Sequence, residues 1–376
     1  MIEGPRAARD EGEIHAAAAL ADSVFYPDGT GDMGSWFPTL FHPGNRENLR
    51  VFVDDGRPVA LAGFTVNDIV IHGARLRAAC AGAVCTAPSH QGRGLASRLM
   101  EDLVARAREQ GAQLLLVSGA RHLYVRMGCV DAGLYRTAVV ERGSAPPAGG
   151  CEVREATAAD VPELAAALCA EPVRFVRSPD EWRLLLESRV LQCKPSRTWV
   201  AAFQGAAGYL CAQEPREEGG ARVIKVLEIA GPRACVLAAL AGIFRETGAD
   251  RISIEMLDAD HELRALCEAH GLPTLCRGFP GTVKIIDPRG LFDALGPWIE
   301  QRLTSEEARR FSIDTDHGVV FRLGGEKLAA SSDAEVTARV FGSLTHAAAD
   351  PGATALGRLL ARLFPVPLVG YGLSYI

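Results

Sequence analysis

No stretch of this 376-residue chain approaches the roughly 18 consecutive apolar residues that a membrane-spanning helix requires, so no membrane association is expected. Its start lacks the basic leader and apolar core of a secretory signal: Met1 to Glu13 is polar and mixed in charge, and Ala16 to Ala21 is a short alanine-rich helix. A cytoplasmic location is the expectation that follows. Lysine is nearly missing, with Lys194, Lys225, Lys284 and Lys327 the exceptions among basic residues that are otherwise arginine. The net charge of −6 argues against a nucleic-acid surface and favours cationic substrates or partners. None of the ten cysteines forms a C-x-x-C pair and no Cys/His grouping has zinc spacing, so the thiols read as reduced and structural and no metal is expected. Two familiar nucleotide loops are also missing, since there is neither a Gly-Lys-Ser/Thr nor a complete G-x-G-x-x-G.

What the chain does have is Gln91-Gly92-Arg93-Gly94-Leu95-Ala96, set between a short apolar strand, Ala81 to Thr86, and an amphipathic helix. Leu95, Leu99, Leu103, Val104 and Ala107 recur at helical spacing, while Arg98, Asp102, Arg106 and Arg108 fall mostly elsewhere, and Gly111 ends the helix. Glycines let the backbone approach a phosphate closely, the helix start offers unpaired N–H groups and a positive dipole end, and Arg93 adds a charge. The run reads as a pyrophosphate cradle. An ordinary glycine-rich turn is the bland alternative. Just upstream, Arg50 to Val53 and Pro58 to Phe64 flank Asp54-Asp55-Gly56 as a hairpin.

The cradle resembles the Gln/Arg-x-x-Gly-x-Gly/Ala motif of the GCN5-related N-acetyltransferases (GNAT) through Gln91, Gly94 and Ala96. The apolar strand Ala112 to Val117 and the segment Tyr124-Val125-Arg126-Met127-Gly128, similar to the family's Tyr-x-Arg-Phe-Gly, follow in family order. The resemblance implies that Gln91, Gly92, Arg93, Gly94, Leu95 and Ala96 hold the pyrophosphate of acetyl-coenzyme A, with Val84, Cys85 and Thr86 alongside the pantetheine arm. Val84 is the expected backbone donor to the thioester carbonyl. Tyr124 is the expected general acid, because a phenol with a reference pKa of about 10 keeps its proton at neutral pH. His122 is a second candidate donor. A nucleophilic role for Cys85 has no visible His or Asp partner to support it.

A chain of this length and 48% hydrophobic content is expected to form two or three domains. Gly143 to Gly150 supports neither helix nor strand and reads as the linker closing a domain 1–143. The strand-and-helix order then restarts over 151–280: Cys151 to Ala156, a helix from Val161 to Ala170, a hairpin about Gln204-Gly205, the strand Val223 to Ile229, the helix Ala234 to Glu246 and the strand Arg251 to Met256. Where a second cradle belongs the chain reads Ala230-Gly231-Pro232-Arg233, so this copy is expected to be silent, or not to be a copy at all. A third region, 281–376, opens with the strand and helix of Thr282 to Phe292, adds strands at Phe311 to Ile313 and Gly318 to Leu323, and closes with helices over Glu335 to Gly342 and Ala353 to Leu363.

This three-part order resembles the Eis-like acetyltransferases. It implies an α/β (α+β) fold class: tandem GNAT folds, the second degenerate, then a sterol-carrier-protein-like α+β domain. The same resemblance makes the carboxylate of the last residue, here Ile376, part of the active site and implies a homo-oligomer, in that family a hexamer. The segment from Phe25 through Phe37 falls where such folds shape the acceptor pocket, making Trp36 and Phe37 candidate substrate-binding residues, with Asp28 and Asp32 either recognising a cation or simply solvated. The expected activity is acetyl-CoA-dependent acetylation of a small cationic amine, aminoglycoside-like or polyamine-like. A protein lysine, a biosynthetic intermediate, or a non-catalytic acyl-CoA- or lipid-binding role suits the same sequence.

Overall fold

Alternating and continuous apolar runs separated by tight turns build the first sheet of this chain, seen in a computed structural model that describes residues 1–346 and 352–376. By their contacts the described residues fall into two units, one comprising 1–132, 280–366 and 376, the other 133–279 and 367–375.

In the first unit the strands run in the spatial order Glu3–Ala7, Leu49–Asp54, Arg57–Ile71, Ala74–Thr86, Leu114–Val117, Thr282–Ile285. The hairpin read at Asp54-Asp55-Gly56 is there, because Asp55 and Gly56 both adopt the positive φ that a two-residue turn needs (47° and 76°). Among these six strands the neighbouring pairs are antiparallel apart from Ala74–Thr86, which runs parallel to Leu114–Val117 and is joined to it through the crossover helix Leu95–Glu109. That helix buries Leu95, Leu99, Met100, Leu103 and Ala107 on the sheet. Each large side chain so buried contributes about 1.5–3 kcal/mol. Gly111, at φ 78°, follows its C-terminus, where the N–H of Ala112 returns to the Ala107 carbonyl at 3.0 Å. The polar start of the chain, read without a strand, contributes the edge strand Glu3–Ala7.

The second unit repeats the order. Glu152–Glu155, Lys194–Phe203, Ala206–Gln213 and Ala221–Ala230 form an antiparallel meander, the helix Arg233–Thr247 crosses over, and Arg251–Leu257 returns parallel to Ala221–Ala230. The helix Val161–Ala170 and the hairpin at Gln204-Gly205 lie where the pattern put them. The unit boundary does not lie in the Gly143 to Gly150 stretch. Leu134–Glu141 pairs along its whole length with Arg251–Leu257, so it belongs to the second sheet, while Thr282–Ile285 edges the first. Residues 281–366, expected as a separate third domain, group with the first unit; they include an antiparallel sheet of Phe311–Asp314, Val320–Leu323 and Glu326–Ala329. No helix among the described residues is long and apolar enough to cross a membrane.

Candidate active site

Parallel pairing between Ala74–Thr86 and Leu114–Val117 stops at Ala81 and Val117, and Gly82 to Thr86 continue without that partner. On the other side of the same strand the register slips: Cys85 faces Leu61 and Gly82 faces Gly63, which leaves Ala83 and Val84 opposite Ala62 alone. Ala83 sits at φ 52°, an unusual place for a residue with a Cβ. A β-bulge of this kind re-aims backbone groups and is common beside active sites. It falls on Val84, the residue expected to present a backbone donor.

The end of the strand leads into the cradle. Gly92 and Gly94 take φ values of 75° and 72°, and a Cβ built on either would stand in open space. Gly94 caps the crossover helix without any side-chain hydrogen bond, and no acidic residue lies in the first turn, so the first N–H groups and the dipole are left to an outside anion. The Leu95 side chain is buried and fixes the helix end, whereas Gln91, Gly92, Arg93 and Gly94 are exposed and Ala96 is half-buried. Gln91 Nε2 donates to the Thr86 carbonyl at 3.3 Å, tying the loop to the strand. The Thr86 hydroxyl is buried with no hydrogen-bond partner among the described residues. An open cradle, uncapped donors and an orphaned hydroxyl on the adjoining strand all fit a phosphorylated cofactor with a polar arm.

Cys85 does not read as a nucleophile. Burial pushes its thiol up to about 12, with the Arg121 guanidinium acting in the opposite direction. At neutral pH almost none is thiolate.

Ile376 comes to the same place. It is 3% exposed, and the Ser118 hydroxyl donates to its backbone oxygen at 2.8 Å. Gly82 makes room for it: a Cβ there would lie 2.7 Å from the carboxyl carbon. Thr282 holds the adjoining turn by donating to the Gly119 carbonyl at 2.9 Å, and the Tyr124 ring lies 3.7 Å from where a Cβ on Gly119 would be. Tyr124 is carried by the short helix His122–Arg126 and is buried in the first unit's core. His122 lies on the same helix but is exposed, with Arg126 3.3 Å away. Arg121, missed in the sequence, donates to the Val84 carbonyl at 3.4 Å and lies over the Phe25 ring at 5.2 Å.

The acceptor-side candidates divide. Trp36 is half-buried and packs edge-on against Tyr26 at 4.9 Å, while Phe37 is buried. Asp32 caps the helix Met33–Trp36 through the Ser35 N–H at 3.3 Å, and Asp28 accepts from Thr30, so both carboxylates serve local turns. No group of three or more His, Cys, Asp or Glu among the described residues is arranged to hold a metal ion.

Residues 5–130 match the acetyltransferase (GNAT) domain family. This segment is therefore a GNAT-type N-acetyltransferase domain. Over 141 residues the chain is 31% identical to an uncharacterized N-acetyltransferase of Streptomyces griseus, an alignment that spans 34% of either chain, so it covers about a third of that relative. Its fold is similar over 98% of its length to a GCN5-related N-acetyltransferase from Anabaena variabilis, of which 99% is covered (TM-score 0.67, 14% identity). It is similar over 100% of both chains to Eis1 from Mycobacterium abscessus (TM-score 0.64, 16% identity) and to a GCN5-related N-acetyltransferase from Kribbella flavida (TM-score 0.64, 16% identity).

In the second unit the turn corresponding to the cradle is filled from within. The Glu171 carboxylate accepts from the Gly231 N–H at 2.8 Å and from Arg233 at 2.6 and 2.8 Å, while Arg233 Nε reaches Asp260 at 2.7 Å. Pro232 has no N–H, and a Cβ on Gly231 would lie 2.7 Å from both the Ala207 carbonyl oxygen and the Gly208 Cα. A carboxylate of the chain's own stands where an anionic ligand would need these donors.

Proposed function

We propose that the chain transfers the acetyl group of acetyl-CoA to the amine of a small cationic acceptor of aminoglycoside-like or polyamine-like type. The observation that carries this reading is the open cradle at the point where the parallel strands part, with Gly92 and Gly94 at positive φ and an uncapped helix start behind them. When bound, acetyl-CoA supplies the activated acetyl thioester. The backbone donors of Gly92 to Ala96 and the Arg93 charge bind its pyrophosphate, and Val84, Cys85 and Thr86 line its arm. The bulged strand at Val84 supplies the donor that stabilises developing negative charge on oxygen, an effect that in other enzymes is worth about 2.7–4 kcal/mol per donor. The reacting nitrogen must be neutral, so the Ile376 carboxylate orients the cationic acceptor and relays to solvent the protons that nitrogen gives up, while Tyr124 gives its phenolic proton to the departing sulfur and regains one from solvent. Trp36 and Phe37 are proposed as acceptor-side residues.

Thiol release from acetyl-CoA, followed with polyamines, aminoglycosides, amino acids and lysine peptides, tests the reading. Release stimulated by the first two classes supports it, and release by lysine peptides alone assigns a protein acceptor. Tight acetyl-CoA binding without release by any amine favours the non-catalytic acyl-CoA-binding role. Within the same proposal, residues 281–376 are the sterol-carrier-like part, supported by their antiparallel sheet and flanking helices. The protein is a cytoplasmic homo-oligomer, which light scattering on the purified chain tests.

A further inference from the structure

Leu227 to Ile229 and Glu255 to Leu257 meet in a cavity of about 90 Å³ whose lining lies wholly in the second unit. Parallel pairing of Ala221–Ala230 with Arg251–Leu257 stops at Val226 and Ile254, and both strands run on without pairing to each other. On the other side of Ala221–Ala230 the register slips: Glu228 faces Cys211 and Val226 faces Ala212, which leaves Leu227 as a bulge. The second unit thus keeps the parted strands and the bulge seen in the first. Although Glu171 fills the turn that would hold a phosphate, the gap between the strands stays open.

The charges on the cavity wall answer one another, with one exception. Arg177 meets both oxygens of Glu228 at 2.6 and 2.7 Å, Arg233 bridges Glu171 and Asp260 at 2.6 and 2.7 Å, and Arg174 donates to the Glu171 carbonyl at 2.6 Å. Glu255 makes neither a hydrogen bond nor an ion pair among the described residues. Lys225 and Arg251, which border its other side with Arg277, are taken by Glu218 at 2.8 Å and Glu141 at 2.7 Å. A carboxyl withdrawn from water without a partner is costly, and burial raises this one to about 7. A cationic hydrogen-bond donor is the chemistry that completes it. Four carboxyls on the wall face three guanidinium groups, and Leu168, Phe175 and Met256 offer an apolar surface to a short alkyl stem. The volume sets the size: a cavity of about 150 Å³ holds benzene, so this one takes a ligand of a few heavy atoms. We infer that the second unit binds a short primary ammonium ion between its parted strands, with Glu255 as the anionic contact. The site uses none of the residues proposed for turnover, so it stands whether or not that reading does.

Hydrogen exchange read by mass spectrometry tests the site, because it reports where on the full chain protection falls. At pH 8, propylammonium should slow exchange saturably in peptides covering Ala221–Ala230 and Arg251–Leu257. Propanol, of the same length and without charge, should not, and this comparison needs no variant. Glu255→Gln keeps the shape and removes the charge; it should raise the propylammonium concentration for half protection by about tenfold or more. Protection confined to peptides from residues 1–132 would place the amine at the first unit's acceptor site alone and overturn the inference. Equal protection by propanol, an unshifted midpoint in Glu255→Gln, or no protection at any concentration that leaves the protein folded would overturn it too.

Discussion

Replacing Gly82 by Ala isolates the terminal carboxylate with a single methyl group. A Cβ at this position would lie 2.7 Å from the Ile376 carboxyl carbon, 3.0 Å from its oxygen and 3.3 Å from Cγ1, whereas ordinary contact begins at 3.4 Å. To regain ordinary contact the carboxyl carbon would recede by 3.4 − 2.7 = 0.7 Å. Ile376 is 3% exposed, so little free space takes up that shift and the 2.8 Å bond from Ser118 is strained. A reacting group misplaced by about 1 Å loses about 10²-fold in rate, equivalent to about 2.7 kcal/mol. Overpacking itself costs about 1–3 kcal/mol of stability, read from urea unfolding. The assay is kcat from thiol release at saturating acetyl-CoA and amine, with acetyl-CoA affinity measured by calorimetry. The expected result is a loss in kcat with affinity intact, and no effect of Gly82→Ala in a chain that ends at Tyr375. A kcat within about twofold of wild type, or a loss matched by an equal loss of acetyl-CoA affinity, refutes the reasoning.

Gly94→Val places a branched side chain at φ 72° in the open cradle; it should cost about 1–2 kcal/mol of stability and weaken acetyl-CoA binding in calorimetry, and unchanged affinity would remove the cradle from the cofactor site. Cys85, pushed up to about 12 by burial, should be alkylated by iodoacetamide at pH 8 far more slowly than the exposed Cys169 and Cys276, which peptide mass spectrometry reads site by site. Glu171→Gln leaves the Gly231 and Arg233 donors without their anion; unfolding should require about 3 kcal/mol less, softened because Asp260 still pairs with Arg233. Burial raises the Glu255 carboxyl from 4.5 to about 7. The folded chain thus keeps a proton that the unfolded chain gives up, so this stabilisation is complete below about pH 4.5 and is lost as pH rises through 7. Glu255→Gln should therefore be more stable than wild type at pH 8, by up to about 3 kcal/mol, with the difference shrinking at pH 4.5, and parallel urea curves at the two pH values would contradict it.

Much of the fold was legible because its signals are local. Turn residues at Asp55-Gly56 and Gln204-Gly205 set the two hairpins, and helical spacing from Leu95 to Ala107 predicted both the crossover helix and the face it buries. The exchange of Leu134–Glu141 and Thr282–Ile285 was not legible, because any apolar strand satisfies its own pattern whichever sheet it joins. Nor did Ala112 and Gln113 belong to their strand, which begins at Leu114.

The sequence by itself determined the cradle: two glycines at positive φ, an uncapped helix start and the apolar strand before it are properties of about fifteen consecutive residues. Tertiary structure alone decided what surrounds it. Ser118 and Ile376 are separated by 258 residues, and Gly82 gives way to a group almost three hundred residues further on, contacts that leave no periodic trace in the chain. Glu171 likewise reaches Gly231 across 60 residues, so the sequence showed a turn poor in donors while only the fold disclosed the carboxylate that fills it. The physical reason is common to all three: backbone preference acts over a few neighbours, whereas charge, hydrogen bonding and packing act on whatever the chain's folding brings within a few ångströms.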